Sequence, residues 1–233
     1  MIGIITYDFP NRKTQDLISQ LIFKGYNNLL VFGTPYLERK NFRPLYIHRP
    51  GKAVDVSPDD LCKRLNIKYL KTNLSDLNDR LNESELEHIL IAGAGILPEE
   101  IAKSHKIINS HPGYLPNVKG LDALKWAIYN EQPIGVTTHY ISEKADEGLL
   151  IERRIVPTYF EDTFHSVSYR QYEMEIEMLV NSIEFLKTIA KHENLSDDRY
   201  EANARMPHHL ELKMMNMFQR RIENSPSFRL FSK

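Results

Sequence analysis

Short apolar runs alternate with amphipathic stretches through the first two thirds of the chain. Residues 2–6 and 28–32 are apolar runs of strand length. Between them, 16–23 places Leu17, Ile18, Leu21 and Ile22 at helical spacing before a closing Gly25. This strand–helix–strand opening predicts a parallel sheet with helices on its faces. The same patterning predicts strands over 45–48, 67–71, 87–92, 106–111, 135–141 and 148–157. It predicts helices over 59–65, 74–81 and 121–129, with another opening at Pro98. Asp162 is placed to cap a long helix to about residue 191, whose stripe of Phe164, Val167, Tyr172, Ile176, Leu179, Val180, Ile183 and Leu186 faces the sheet or a second copy in a homodimer. A last helix is expected over 207–218. The expected fold class is therefore α/β: a Rossmann-like, mostly parallel sheet in a catalytic core over 1–157, followed by a short helical C-terminal region over 158–233.

Composition narrows the partners. With 42% hydrophobic and 26% charged residues and a formal net charge of −1, the 233-residue chain has no global attraction for nucleic acid or anionic membrane. A single cysteine, Cys62, excludes an internal disulfide and suggests a reducing compartment. No apolar run spans a bilayer and the N-terminal run is too short for a signal peptide, so a cytoplasmic location is expected. Two local basic stretches stand out. Residues 35–58 hold Arg39, Lys40, Arg43, His48, Arg49 and Lys52 among four prolines, which suits a phosphorylated ligand or an ordinary solvated loop. Residues 205–233 hold six Lys/Arg against two acids. The lone Trp126 reads as a packing residue.

Candidate chemistry concentrates in 107–150. Asn109 and His111 lie two apart at the end of a predicted strand, so they share a face, and Pro112-Gly113 stops the strand beside them. The run at 135–141 leads to a polar loop with Asp146 and Gly148. An amide, an imidazole and a carboxylate suit acyl transfer to a nitrogen nucleophile. Asn109 can offer N–H donors to an oxyanion. His111 can take a proton or, when charged, hold the oxyanion, and Asp146 can orient the ring and raise its pKa. Spacing alone fits a hydrogen-bonded structural histidine as well. Metal ligation is not expected.

The segment Asn109-Ser110-His111-Pro112-Gly113-Tyr114-Leu115-Pro116, with Gly120, Gly135-Val136-Thr137 and Asp146-Glu147-Gly148 after it, resembles the folate-dependent formyltransferases, in kind most of all the sugar N-formyltransferases. The resemblance implies that Asn109, His111 and Asp146 match the catalytic Asn, His and Asp, and that the co-substrate is 10-formyltetrahydrofolate. It also implies that Ala94, Gly95, Ile96 and Leu97, with Ser142 and Ala145 on the other side, hold the pterin ring. By composition alone, Gly93-Ala94-Gly95 is a tight turn.

The acceptor is reached by elimination. The turn at 6–12 has no glycine, unlike the phosphate loop of glycinamide ribonucleotide transformylases, so a backbone phosphate cradle is not expected there. The residues beyond the core look too few for the second domain of methionyl-tRNA formyltransferases. A nucleotide-linked amino sugar remains, as in enzymes feeding surface polysaccharides such as the lipopolysaccharide O-antigen, with Tyr7, Asn117, Lys119 and Arg205 as candidate acceptor contacts. Glycinamide ribonucleotide transformylase, formyltetrahydrofolate hydrolase and a non-catalytic folate- or nucleotide-binding module stay as alternatives.

Overall fold

A computed structural model describes residues 1–36, 42–51 and 54–228. In chain order the elements are β1 (Ile2–Tyr7), α1 (Arg12–Phe23), β2 (Leu29–Thr34), α2 (Pro58–Arg64), β3 (Lys68–Lys71), α3 (Leu74–Asn82), β4 (His88–Ile91), α4 (Glu99–Ser104) and β5 (Ile107–His111). There follow β6 (Lys119–Gly120), α5 (Ala123–Tyr129), β7 (Gly135–Ile141), β8 (Gly148–Ile155), α6 (Phe164–Phe185), β9 (Ala202–Asn203) and α7 (His208–Glu223). Seven strands form one sheet in the order β3-β2-β1-β4-β5-β7-β8. The first five run parallel, while β7 is antiparallel to both β5 and β8. The chain works outward from β1 through β2 and β3, then returns to its other side as β4. That reversal leaves a crevice at the carboxyl ends of β1 and β4, where open α/β sheets take ligands. The expected mostly parallel α/β architecture is what the chain adopts.

The apolar runs become strands because both sheet faces are covered: Ile4, Ile5, Val31, Phe32 and Leu90 are buried together. Helix α6 explains why its sequence is apolar on more than one face. Tyr172, Ile176, Leu179 and Val180 join the core that includes α1 and β1, while Phe164, Val167 and Met178 join a second core with α5 and α7. It begins after Thr163, not Asp162. Thr163 and Ser166 form a capping box, and Asp162 is instead taken by the Arg170 guanidinium at 2.8 Å. It also ends at Phe185, short of 191. α7 runs further than expected, to Glu223.

The expected strand at 45–48 does not form. This segment lies between Pro44 and Pro50, and its Leu45 N–H donates to Glu211 on α7 at 2.7 Å instead of to a sheet neighbour. Arg39, Lys40, Lys52, Arg229 and Lys233 fall outside the described residues. No described helix is long and apolar enough to cross a membrane. One pairing escaped the patterning entirely: β6 lies parallel to β9, with Lys119 opposite Ala202 and Gly120 opposite Asn203. It returns the chain at 202–205 to the end of β5.

Candidate active site

Asn109 and His111 share one face of β5, and Ser110 turns to the other, where its hydroxyl meets that of Thr138 at 3.0 Å. Opposite them on β7, His139 pairs with Asn109 and Thr137 with His111. The strand end is fixed from two sides. Gln171 of α6 donates to the carbonyls of Pro112 and Gly135, both at 3.0 Å. The Thr137 hydroxyl donates to Gly113 O at 2.8 Å and accepts from Leu115 N at 3.0 Å, folding the chain back after the strand. Position 113 has to be glycine, because a Cβ there would stand 2.6 Å from His111 Nε2 and 2.5 Å from Val118 O.

Asp146 comes from the β7–β8 turn. It sits at φ +56°, and Gly148 at φ +124°, where a Cβ would meet Tyr140 O at 2.1 Å. The strained turn puts Asp146 Oδ1 3.1 Å from His111 Nδ1, while Oδ2 accepts from Gly120 N at 2.7 Å. On the ring's other side, His111 Nε2 lies 3.0 Å from the Val118 carbonyl. Two acceptors on the two ring nitrogens call for two N–H donors, which only the imidazolium has. Burial works against charge on this ring, only 5% exposed. The Asp146 charge and hydrogen bond, the Val118 carbonyl and the Glu175 charge outweigh it, so the pKa is raised above the ordinary histidine value. Burial likewise opposes charge on Asp146, but His111 and the Gly120 N–H bring its carboxyl down to about 2. The two form a buried ion pair whose cation can donate.

Beside this pair, the Asn109 carboxamide has no side-chain partner among the described residues. It lines a cleft of about 880 Å³, within the range of small-molecule sites. The cleft lining includes Ala94, Gly95, Ile96 and Leu97, together with Ser142 and Ala145. All six residues expected to hold a pterin lie on this one cavity, next to Asn109, His111 and Asp146. The lining also includes Gly120–Ala123, Ala202, Asn203 and Arg205, and His48 and Arg49.

This second group brings two arginines to the cleft. Arg205 is 42% exposed, with its guanidinium 3.6 Å from Asp122, and Arg49 is paired with the fully buried Glu175. Glu175 also holds Lys13 at 2.7 Å, so two cations share one carboxylate. Burial alone would raise Glu175, yet these charges bring it down to about 2. His48 stands 3.8 Å from Asp122 without forming an ion pair, because burial and the charges of Arg49 and Lys125 push its pKa down to about 3. It is neutral, and can donate or accept.

Of the four candidate acceptor contacts, Arg205 lines the cleft. Tyr7 sits behind the 93–97 turn, its hydroxyl bonded to the Ala94 carbonyl. Asn117 donates to Gln132 at 2.9 Å and to Tyr200 at 3.2 Å. Lys119 is buried on Glu147 at 2.8 Å. Two cleft residues were not singled out from sequence: His139, which the alternation of 135–141 puts on the Thr137 face, and Asp122, whose φ of +52° no local pattern announces. Trp126 is a packing residue, donating to Ala204 O at 2.8 Å. Among the described residues, no group of three or more His, Cys, Asp or Glu is arranged to hold a metal.

Comparison with known proteins places the chain in a family. A family model described as "Formyl transferase" matches residues 49–183. Among curated relatives, the methionyl-tRNA formyltransferase of Thermodesulfovibrio yellowstonii is 30% identical over 191 residues, covering 79% of this chain and 59% of its own length. That of Fusobacterium nucleatum is 30% identical over 145 residues, covering 59% and 47%. The chain thus spans about half the length of these relatives. Among solved structures, a sugar N-formyltransferase from Shewanella sp. superposes with a TM-score of 0.60 at 20% identity, covering 92% of this chain and 87% of that one. A phosphoribosylglycinamide formyltransferase from Anaplasma phagocytophilum gives 0.60 at 20% identity, covering 84% and 94%.

Proposed function

Because this chain belongs to the formyl transferase family, whose model covers more than half of it, we propose that it moves a formyl group from 10-formyltetrahydrofolate to the amine of a nucleotide-linked amino sugar. The observation that carries the reading is the convergence on one cleft of a carboxamide without a partner among the described residues, a charged imidazole and its carboxylate. The amine attacks the formyl carbon and the carbonyl electron pair moves onto oxygen. Asn109 donates an N–H to that oxyanion. The His111 imidazolium, by exchanging its Val118 acceptor for the oxyanion, supplies a second, charge-assisted donor. The intermediate collapses as the C–N10 bond breaks, and the proton lost by the amine replaces the formyl group on N10. Asp146 keeps His111 charged throughout. The backbone of 94–97 takes the pterin and positions the formyl carbon over Asn109.

The choice of acceptor rests on the two arginines of the cleft. Arg205 and Arg49 are side-chain cations on flexible stems, suited to the separated charges of a diphosphate. At the end of β1, by contrast, the chain offers Tyr7, Asp8, Phe9 and Pro10, with no run of small residues to cradle a monophosphate. A second acceptor has support of its own, since the curated relatives reported above act, by name, on methionyl-tRNA. The test is incubation with 10-formyltetrahydrofolate and a panel of nucleotide-linked 3-amino and 4-amino sugars, glycinamide ribonucleotide and methionyl-tRNA, scored by a mass gain of one formyl group. Formylation of an amino sugar is expected. Turnover of glycinamide ribonucleotide or methionyl-tRNA with none of any sugar would overturn the choice of acceptor, and formylation of water alone would make the chain a hydrolase.

A further inference from the structure

The mechanism above leaves one buried imidazole of the cleft unused. His139 is wholly buried, and its Nδ1 donates to the Tyr140 carbonyl at 3.0 Å. Its Nε2 is closed to solvent and has no hydrogen-bond partner among the described residues. The Glu147 carbonyl draws on the ring without reaching hydrogen-bond geometry. Directly across the ladder stands Asn109, on the same face and also lining the cleft. Side chains directly opposite in an antiparallel pair have Cβ atoms about 5 Å apart. An orphaned acceptor and a carboxamide with two N–H donors are therefore neighbours.

We propose that His139 is a positioning residue for Asn109: the two are not hydrogen-bonded in this structure, and a turn of the carboxamide would place one N–H on Nε2 and aim the second at the formyl oxygen. The inference rests on the formyl-transfer reading for its consequence and on the β5–β7 register for the nearness of the two side chains. An Asn free to rotate offers either its oxygen or its nitrogen to the substrate, and only the nitrogen can stabilise an oxyanion. An acceptor fixed beside it removes that ambiguity. His139 serves only as a neutral ring protonated on Nδ1. Burial and the charge of His111 keep it so, bringing its pKa down to about 4 against the pull of Asp146 and the two carbonyls. The two histidines thus take opposite protonation states, one as cationic donor and the other as neutral acceptor. Because Nε2 is shielded from solvent, a donor already carried by the protein suits it better than an incoming amine.

Two variants separate this role from simple space-filling. His139→Asn keeps an amide donor near the Nδ1 position but has no acceptor at the Nε2 position, whereas His139→Gln places its amide oxygen near that position. We expect His139→Asn to lower kcat about ten- to a hundredfold, the scale of a misplaced reacting group, with KM for the folate unchanged. His139→Gln should recover most of that loss. In an Asn109→Ala background, His139→Asn should cost less than about threefold, because a residue acting through another has nothing left to act on. A loss that multiplies fully with that of Asn109→Ala, or better activity in Asn than in Gln, would overturn the proposal. A measurement free of turnover decides the matter even if the functional reading fails. The 15N shift of His139 Nε2, recorded with and without tetrahydrofolate, should move when Asn109 is changed to Ala by the amount expected for losing a hydrogen bond. An unchanged shift in both states would sink the idea, while a moved shift in a protein that transfers no formyl group would leave it standing and remove only the activity.

Discussion

In the proposed mechanism Asn109 and His111 act as donors, so their removal should be read in kcat. Asn109→Ala and His111→Asn are each expected to lower kcat about a hundredfold or more, with reduced-folate binding little changed because 94–97 is a separate part of the cleft lining. Near wild-type turnover in either would remove the site assignment. The pH profile tests the protonation state. The raised His111 pKa comes from Asp146 against the cost of burial. If the imidazolium is the working form, activity falls as pH rises through that pKa, and Asp146→Asn should move this alkaline fall to lower pH. A neutral base would instead lose activity as pH falls through its pKa. The Val118 carbonyl, 3.0 Å from Nε2, makes the cation the better reading. A variant that loses activity with no movement of the limb would reduce Asp146 to a loop former. The three side chains were legible because strand alternation and the Asn-x-His-Pro and Asp-x-Gly signatures are local. His139 and Asp122 were not, since one is defined by a cross-strand register and the other by a left-handed backbone angle.

Helices α5 and α7 are joined by an interaction that their sequences do not advertise. Lys125 and Glu211 are both fully buried and form an ion pair with each other, and Glu211 also takes the Leu45 N–H at 2.7 Å. Asp122 joins the network 3.9 Å from Lys125 and accepts from Met206 N at 3.0 Å. Removing one partner leaves a buried charge, so Glu211→Ala should destabilise the fold by about 3–5 kcal/mol. The paired replacement Lys125→Met with Glu211→Leu should be close to neutral. Urea midpoints at constant m-value check both, and a mild Glu211→Ala would show that water reaches the pair. Strands β1 and β2 were read well because both faces of the sheet are buried there and their apolar runs are long. The element that failed, at 45–48, failed for a physical reason: two prolines and a bond to α7 replace the ladder that its apolar residues suggested.

Over the whole molecule, charge is nearly balanced, at −1 for the 233 residues, and the pair of arginines at the cleft is a local feature. Binding of a nucleotide-linked sugar through one or two phosphates should depend only weakly on ionic strength, whereas a nucleic-acid partner would lose affinity steeply. Affinity measured for the formylated acceptor across a tenfold range of salt tests this, and a steep slope would point to an extended polyanion. The expected class of fold could be read from the order of strands and helices, while the return of the chain at β9 could not, since a two-residue ladder leaves no periodicity. That return has a consequence for how the protein could be altered. The cleft residues proposed to meet the folate come from 94–97 and 142–145, while Asn203 and Arg205 come from a strip tied to the core by the β6–β9 ladder, by the Met206 N–H on Asp122 and by the Trp126 indole on Ala204 O. On the proposed function, donor and acceptor recognition would be written on different lengths of chain. Grafting a foreign strip across 197–207 that keeps its bonds to Gly120 and Asp122 could then re-address the formyl group to another amine while leaving Asp146 in place.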